Sequence, residues 1–289
     1  MSRVLVTGCG GQVGAEVARE LCANHEVIAL DRAALDLADT AQIVARVRAA
    51  RPDVIVNAAA YTAVDRAESD AVAARAANAI APGVLGEEAK RAGALLVHYS
   101  TDYVFDGSKA SAYVEDDPTH PLNVYGATKL EGERAIAASG CRHIVLRTSW
   151  VYGPRGRNFL FTMLRLARER PELRVVDDQR GAPTSSLQLA RATRELLAVP
   201  AASGVYHATA AGETTWHGFA AAIFAAEAAR DAAFRPPRLV PIAASEYPTP
   251  ARRPANSILS NARLAANTGV KLSDWREGLA EVMSAVPRG

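Results

Sequence analysis

The chain has 289 residues, 49% of them hydrophobic and 22% charged, with a formal net charge of +2. Such totals fit a globular protein of one large domain or two smaller ones, with ample material for a core. They argue against a nucleic-acid partner, since no basic run builds a phosphate-tracking stripe, and against a membrane-spanning helix, since no apolar stretch approaches roughly 18 to 20 residues. The opening segment MSRVLVTGCG enters an apolar strand directly and lacks the parts of a signal peptide. Cys9, Cys22 and Cys141 form neither a paired framework nor a metal cluster, so a reducing cytoplasm is the expected setting.

In chain order, RVLVTG (3–8) predicts a strand, and QVGAEVARELCAN a helix with Val13, Val17 and Leu21 on one face. EVIALD (26–31) predicts a second strand. DTAQIVARVRAA follows as a helix capped by Asp39 or Thr40 and stopped before Pro52. DVIVNAAA (53–60), ALLVHYS (94–100) and HIVLRTSWVYG (143–153) predict further strands with helices between them. These runs are nearly continuous in apolar residues, as expected when both faces of a sheet are covered. Strand–helix alternation at this spacing implies an α/β protein with a doubly wound parallel sheet.

After Gly153 the rhythm loosens. NFLFTMLRLARER (158–170) predicts a helix, LRVVDDQRGAPT a strand that breaks into a loop, and GVYHATAA (204–211) a late strand of the sheet. A C-terminal amphipathic helix carries Leu279, Val282 and Met283. The expected division places residues 1–152 and 184–211 with the sheet, and 153–183 and 212–289 in a second, smaller lobe built from discontinuous segments.

TGCGGQVG (7–14) spaces Gly8, Gly11 and Gly14 as G-x-x-G-x-x-G between the first strand and the first helix. Glycines there let the backbone turn tightly and approach a pyrophosphate, which meets free N–H groups and the positive helix end. Asp31 closes the second strand, where a carboxylate can bind the hydroxyls of an adenosine ribose. Arg32 beside it suits a ribose phosphate, so NADH and NADPH both stay open. Asp36 and Leu37 lie near the adenine if their loop folds back, although Asp36 serves equally well as a cap before the next helix.

YGATKLEGE (125–133) places Lys129, one of only four lysines with Lys90, Lys109 and Lys271, four positions after Tyr125. On a helix the two share a face. An ammonium there favours the phenolate and makes the phenol a usable proton donor near neutrality. YSTDYVF (99–105) ends the fourth strand, placing Ser100, Thr101 and Asp102 at the carboxyl edge where ligands of open α/β sheets bind. One hydroxyl there can orient a substrate carbonyl. NAAAYT (57–62) ends the third strand in small residues, leaving room for a flat nicotinamide.

Together, TGCGGQVG, NAAAYTAVDRAE, STDYVFDG, YGATKLEGE and RTSWVYG resemble the extended short-chain dehydrogenase/reductase superfamily. Within it the likeness is to the dTDP-4-dehydrorhamnose reductase family, and it runs on through DDQRGAPT (177–184) to RRPANSILSN (252–261). The resemblance implies a Rossmann fold and the NAD(P)H-dependent reduction of the C4 keto group of a dTDP-4-keto-6-deoxy sugar. It implies a catalytic set of Thr101, Tyr125 and Lys129. Gly8, Gly11, Gln12 and Val13 would hold the pyrophosphate, with Asp31, Asp36 and Leu37 on the adenosine side and Ala58, Ala59, Ala60 and Tyr61 along the nicotinamide half. Asp102, Trp150, Asn158, Phe159 and Arg253 would serve the nucleotide-sugar.

Some relatives pair through a magnesium held by glutamates. Glu16 matches one such position, but Leu187 stands where another is expected. A magnesium bridge is therefore poorly supported, no catalytic metal is expected, and monomer and homodimer both remain open. His98, His120, His143, His207 and His217 show no ligand spacing and read as structural. Two rival readings stand beside the reductase: another reductase, epimerase or dehydratase of nucleotide-sugars, or a non-catalytic regulatory subunit like that of methionine adenosyltransferase.

Overall fold

The computed structural model describes residues 1–286. From the N-terminus, β1 (Arg3–Thr7), α1 (Gln12–Leu21), β2 (Glu26–Leu30), α2 (Thr40–Ala50) and β3 (Val54–Asn57) alternate as expected. Two short helices, α3 (Val64–Ala67) and α4 (Ala71–Arg75), lead through one π-helical turn (Ala76–Ile80) into α5 (Ala81–Ala92). Then follow β4 (Leu95–Thr101), a 3-10 turn (Asp102–Val104), α6 (Val124–Ser139) and β5 (Arg142–Thr148). Asp39 takes the cap of α2 by accepting the Gln42 N–H at 3.0 Å, and Arg51, in the left-handed region, ends that helix before Pro52.

The second half holds β6 (Val151–Tyr152), α7 (Phe159–Glu169), β7 (Glu172–Val176), β8 (Arg180–Gly181), β9 (Thr184–Ser185), α8 (Ser186–Leu197) and β10 (Gly204–His207). It finishes with β11 (Thr214–Thr215), α9 (Trp216–Arg230), β12 (Arg238–Ile242), α10 (Ala262–Thr268) and α11 (Trp275–Ala285). None of the described helices is long and apolar enough to cross a membrane.

Six strands form one sheet in the order β10-β5-β4-β3-β1-β2, every neighbouring pair parallel. The chain leaves β1 for β2 on one side and reaches β3 on the other, so the order reverses between β1 and β3. Ligands of doubly wound sheets bind in the crevice at that reversal. Alternate strand residues face opposite sides. Val4, Val6, Val54, Val56 and Val97 pack with α1, α8 and α10, whereas Leu5, Ile55, Leu96 and Val145 pack with α2, α5 and α6. Each such buried aliphatic side chain contributes about 1.5–3 kcal/mol.

The predicted strand 143–153 is broken. Trp150 adopts φ +48°, which ends β5 and sends Val151 and Tyr152 to pair with β9 outside the main sheet. A separate apolar core gathers Leu160 and Leu164 of α7, Leu173 of β7, Phe219 and Ile223 of α9, and Leu279, Val282 and Met283 of α11. Tyr152 and Leu187 join this core, while Leu264, Val270 and Leu272 pack against the main sheet. The C-terminal segment thus contributes to both.

Candidate active site

A cleft of about 960 Å³ opens at the carboxyl ends of β1, β3 and β4, at the upper end of the range for small-molecule sites. Its walls include Gly8, Gly11, Gln12, Val13, Asp31, Arg32, Asp36 and Leu37 on one side. Gly8 has φ +75°, and a Cβ there would come within 2.7 Å of the Ala59 backbone; one at Gly14 would lie 2.2 Å from the Gly8 carbonyl oxygen. The glycines therefore let the turn, β3 and α1 close on one another. Side chains cap α2, α6, α7, α8 and α9, but none caps α1. Its first N–H groups and the positive helix end face the cleft, which suits a pyrophosphate. Asp31 accepts the Ala34 N–H at 2.9 Å, and Arg32 has no ion-pair partner among the described residues. A carboxylate and a free cation thus stand side by side at this end of the cleft.

Ala58, Ala59, Ala60 and Tyr61 form the next part of the wall. The π-helical turn fixes Tyr61: buried Asn78 accepts the Tyr61 N–H at 2.8 Å and donates to the Tyr61 carbonyl at 3.0 Å and to Thr128 Oγ1 at 3.2 Å. π-Turns often mark functional sites. This clamp was not legible in the sequence, because the carboxamide acts on a backbone 17 positions away.

Thr101, Asp102, Tyr125 and Lys129 line the same cleft. Asn123 caps α6, accepting the Gly126 N–H at 2.8 Å, and the first turn of that helix carries Tyr125. Burial, followed by the Asp102 carboxylate, pushes the Tyr125 pKa up to about 12, with the Thr101 hydroxyl opposing. Lys129, 1% exposed, donates from Nζ to the Tyr99 carbonyl oxygen at 2.6 Å and lies 3.0 Å from His98 Nε2. Burial lowers its pKa to about 8, with Glu133 opposing. Both of these Nζ contacts are with residues of β4. Asp102 is 3% exposed and its Oδ2 has no hydrogen-bond partner; burial raises its pKa to about 6.

Trp150 lines the far end. Its indole stacks on Trp216 at 3.7 Å and 10°, and a Cβ on Gly181 would lie 2.5 Å from the ring. A non-glycine residue at positive φ costs about 1–3 kcal/mol and persists only where its surroundings enforce it; the stack and Gly181 do so here. Trp216 and Arg157 also face the cleft and were not singled out from sequence. Trp216 follows a two-residue strand and starts α9, so no periodicity marks it. Arg157 sits in a loop with no motif.

Three sequence-selected residues stand off the cleft wall. Asn158 caps α7, accepting the Phe161 N–H at 3.1 Å, and donates to Gln12 Oε1 at 2.9 Å. Phe159 packs against Trp216 and Phe219. Arg253 is paired with Asp65, Nη2 to Oδ2 at 2.8 Å. Glu16, 1% exposed, is paired with Arg19 at 2.8 Å and Arg155 at 3.1 Å, and Leu187 is buried in the second core.

A family profile described as the RmlD substrate binding domain matches residues 2–287. A dTDP-4-dehydrorhamnose reductase of Burkholderia thailandensis is 53% identical over 284 residues, 95% of each chain. One of Escherichia coli K12 is 44% identical over 293 aligned positions, 97% of each chain. The crystal structure of the Bacillus anthracis dTDP-4-dehydrorhamnose reductase in complex with NADP superposes with a TM-score of 0.92, at 34% identity, covering 98% of this chain and 99% of that one. The fold is accordingly the Rossmann-type α/β fold of the extended short-chain dehydrogenases, and the chain belongs to the dTDP-4-dehydrorhamnose reductase family.

Proposed function

We propose that this protein reduces the C4 keto group of dTDP-4-dehydro-L-rhamnose to give dTDP-L-rhamnose, using NADPH or NADH. The observation that carries this reading is the convergence of Tyr125, Thr101 and Lys129 on the cleft that also holds the glycine turn. The uncapped end of α1, the glycines and the Ala58–Ala60 wall fit a dinucleotide, which supplies the hydride when bound. Gln12 and Val13 hold its pyrophosphate, Asp31, Arg32, Asp36 and Leu37 its adenosine end, and Lys129 its ribose.

The sugar lies toward Trp150 and Trp216, whose flat apolar faces suit a deoxy ring. The Thr101 hydroxyl orients the carbonyl, and the Tyr125 hydroxyl gives its proton to the oxygen as charge develops there. Asp102 Oδ2 accepts a hydroxyl of the sugar. The sheet and its helices carry the dinucleotide, and the second core of α7, α9 and α11 carries the nucleotide-sugar. The reaction takes place in the cytoplasm, where the three free thiols stay reduced.

The test mixes purified protein, reduced cofactor and the keto-sugar and follows nicotinamide absorbance. Native protein consumes the cofactor, and Tyr125→Phe lowers kcat by roughly two to four decades. No consumption by the native protein, or undiminished turnover by the variant, refutes the reading.

A further inference from the structure

Behind Lys129 runs a buried polar chain that takes no part in the mechanism above. Nζ lies 3.0 Å from His98 Nε2, and His98 Nδ1 lies 2.9 Å from Asn57 Nδ2. Asn57 Oδ1 accepts the Thr7 hydroxyl at 2.6 Å and the Ala59 N–H at 3.3 Å. All four side chains are at most 1% exposed.

The direction of each bond follows from one fixed donor. The Ala59 backbone N–H can only donate, so the carboxamide oxygen of Asn57 faces it and the NH₂ faces His98. An NH₂ donates, so His98 Nδ1 accepts. Burial holds the imidazole neutral, its pKa well below the ordinary value, and a neutral ring with Nδ1 accepting carries its proton on Nε2. That N–H points at Lys129 Nζ. An ammonium has no lone pair to receive it, whereas a free amine does.

We propose that His98 is a positioning residue that favours the free-amine form of Lys129 by donating a hydrogen bond to its lone pair. A bond made only to the neutral form disfavours the charged one. The other groups around Nζ do not produce this effect. On α6, Glu133 favours the ammonium, but it is itself neutralised by Arg147 of β5 at 2.7 Å. Tyr125 on the same helix is a neutral phenol, Asp102 beyond the end of β4 is an acid whose charge would favour the ammonium, and Tyr99 offers Nζ only its carbonyl oxygen. The free amine gives one N–H to Tyr99 and keeps a second for a ribose oxygen, but it no longer presents a charge beside Tyr125. His98 therefore sets the alkaline limit of turnover through Lys129.

This inference rests on the catalytic role proposed for Lys129, but its test needs neither cofactor nor sugar, so it can fail while the reductase assay succeeds. Ring-nitrogen NMR of the full-length, dinucleotide-free protein should place the His98 proton on Nε2; a proton on Nδ1 overturns the proposal. With only four lysines in the chain, NMR of isotope-labelled lysine side chains can follow Lys129 singly. Its titration should rise by about one unit or more in His98→Gln, whose amide oxygen can accept from an ammonium. An unmoved titration in the folded variant overturns the proposal, since a merely structural histidine would alter stability alone. If His98→Gln does not fold, the native tautomer decides.

Discussion

Lys129 shows how a buried ionisable side chain can oppose stability at a single residue. Its folded pKa of about 8 lies below the ordinary lysine value, chiefly through burial. Between the two values the unfolded chain binds more protons than the folded one, so this group's contribution to stability rises with pH across that window. From pH 7 to pH 10 the native protein should gain about 2–3 kcal/mol relative to Lys129→Met, which lacks the titrating group. Denaturant titrations of both proteins at the two pH values measure the gap, and a constant gap would show that the ammonium is not buried as described. The same substitution should reduce turnover severely. A lysine in a Tyr-x-x-x-Lys spacing was legible in sequence; its contacts with His98 and Tyr99 were not, because they cross from α6 to β4, about 30 positions away.

At the scale of elements, α6 works because it lies unusually close to two backbone turns. A Cβ on Gly126 would stand 2.1 Å from the Tyr103 carbonyl oxygen, and one on Gly132 2.1 Å from that of Asn78. Both neighbours are main chain and cannot swing aside. Gly126→Ala should push the first turn of α6 away from Thr101 and cost about 1–3 kcal/mol of stability. Because Tyr125 adjoins it, turnover should fall much further, by about a hundredfold for a displacement near 1 Å. Thermal melting and kcat measured together separate the two effects; equal retention of both would mean that the close approach is not needed. The glycines were visible in YGATKLEGE, but only the docked helix shows what each one accommodates. Likewise HIVLRTSWVYG reads as one strand, whereas the stacked indoles hold Trp150 at positive φ and break it.

Across the whole molecule, the cleft is closed by ties between segments far apart in sequence. Asn158 joins α7 to Gln12 of α1, Arg155 joins the same loop to Glu16, and Arg253 joins the C-terminal segment to Asp65. Asn158 has two roles that substitution can separate. Asn158→Ser should keep the α7 cap but be too short to reach Gln12, so melting should change little while the KM for the dinucleotide rises several-fold. Asn158→Ala should lose the cap too, costing about 1 kcal/mol. An unchanged KM in both variants would show that Gln12 needs no support from α7.

The sequence alone determined the parallel sheet, the glycine turn at the end of β1 and the shared helix face of Tyr125 and Lys129, because each is written in local spacing: apolar runs, glycines at a strand end, two residues one helical turn apart. Only the tertiary structure decided that Arg253 pairs with Asp65, that Trp216 backs Trp150, and that His98 lies between Asn57 and Lys129. Those pairings join residues whose separation has no period, up to 188 positions for Asp65 and Arg253. A bond of that kind exists only once the sheet has brought its strands side by side.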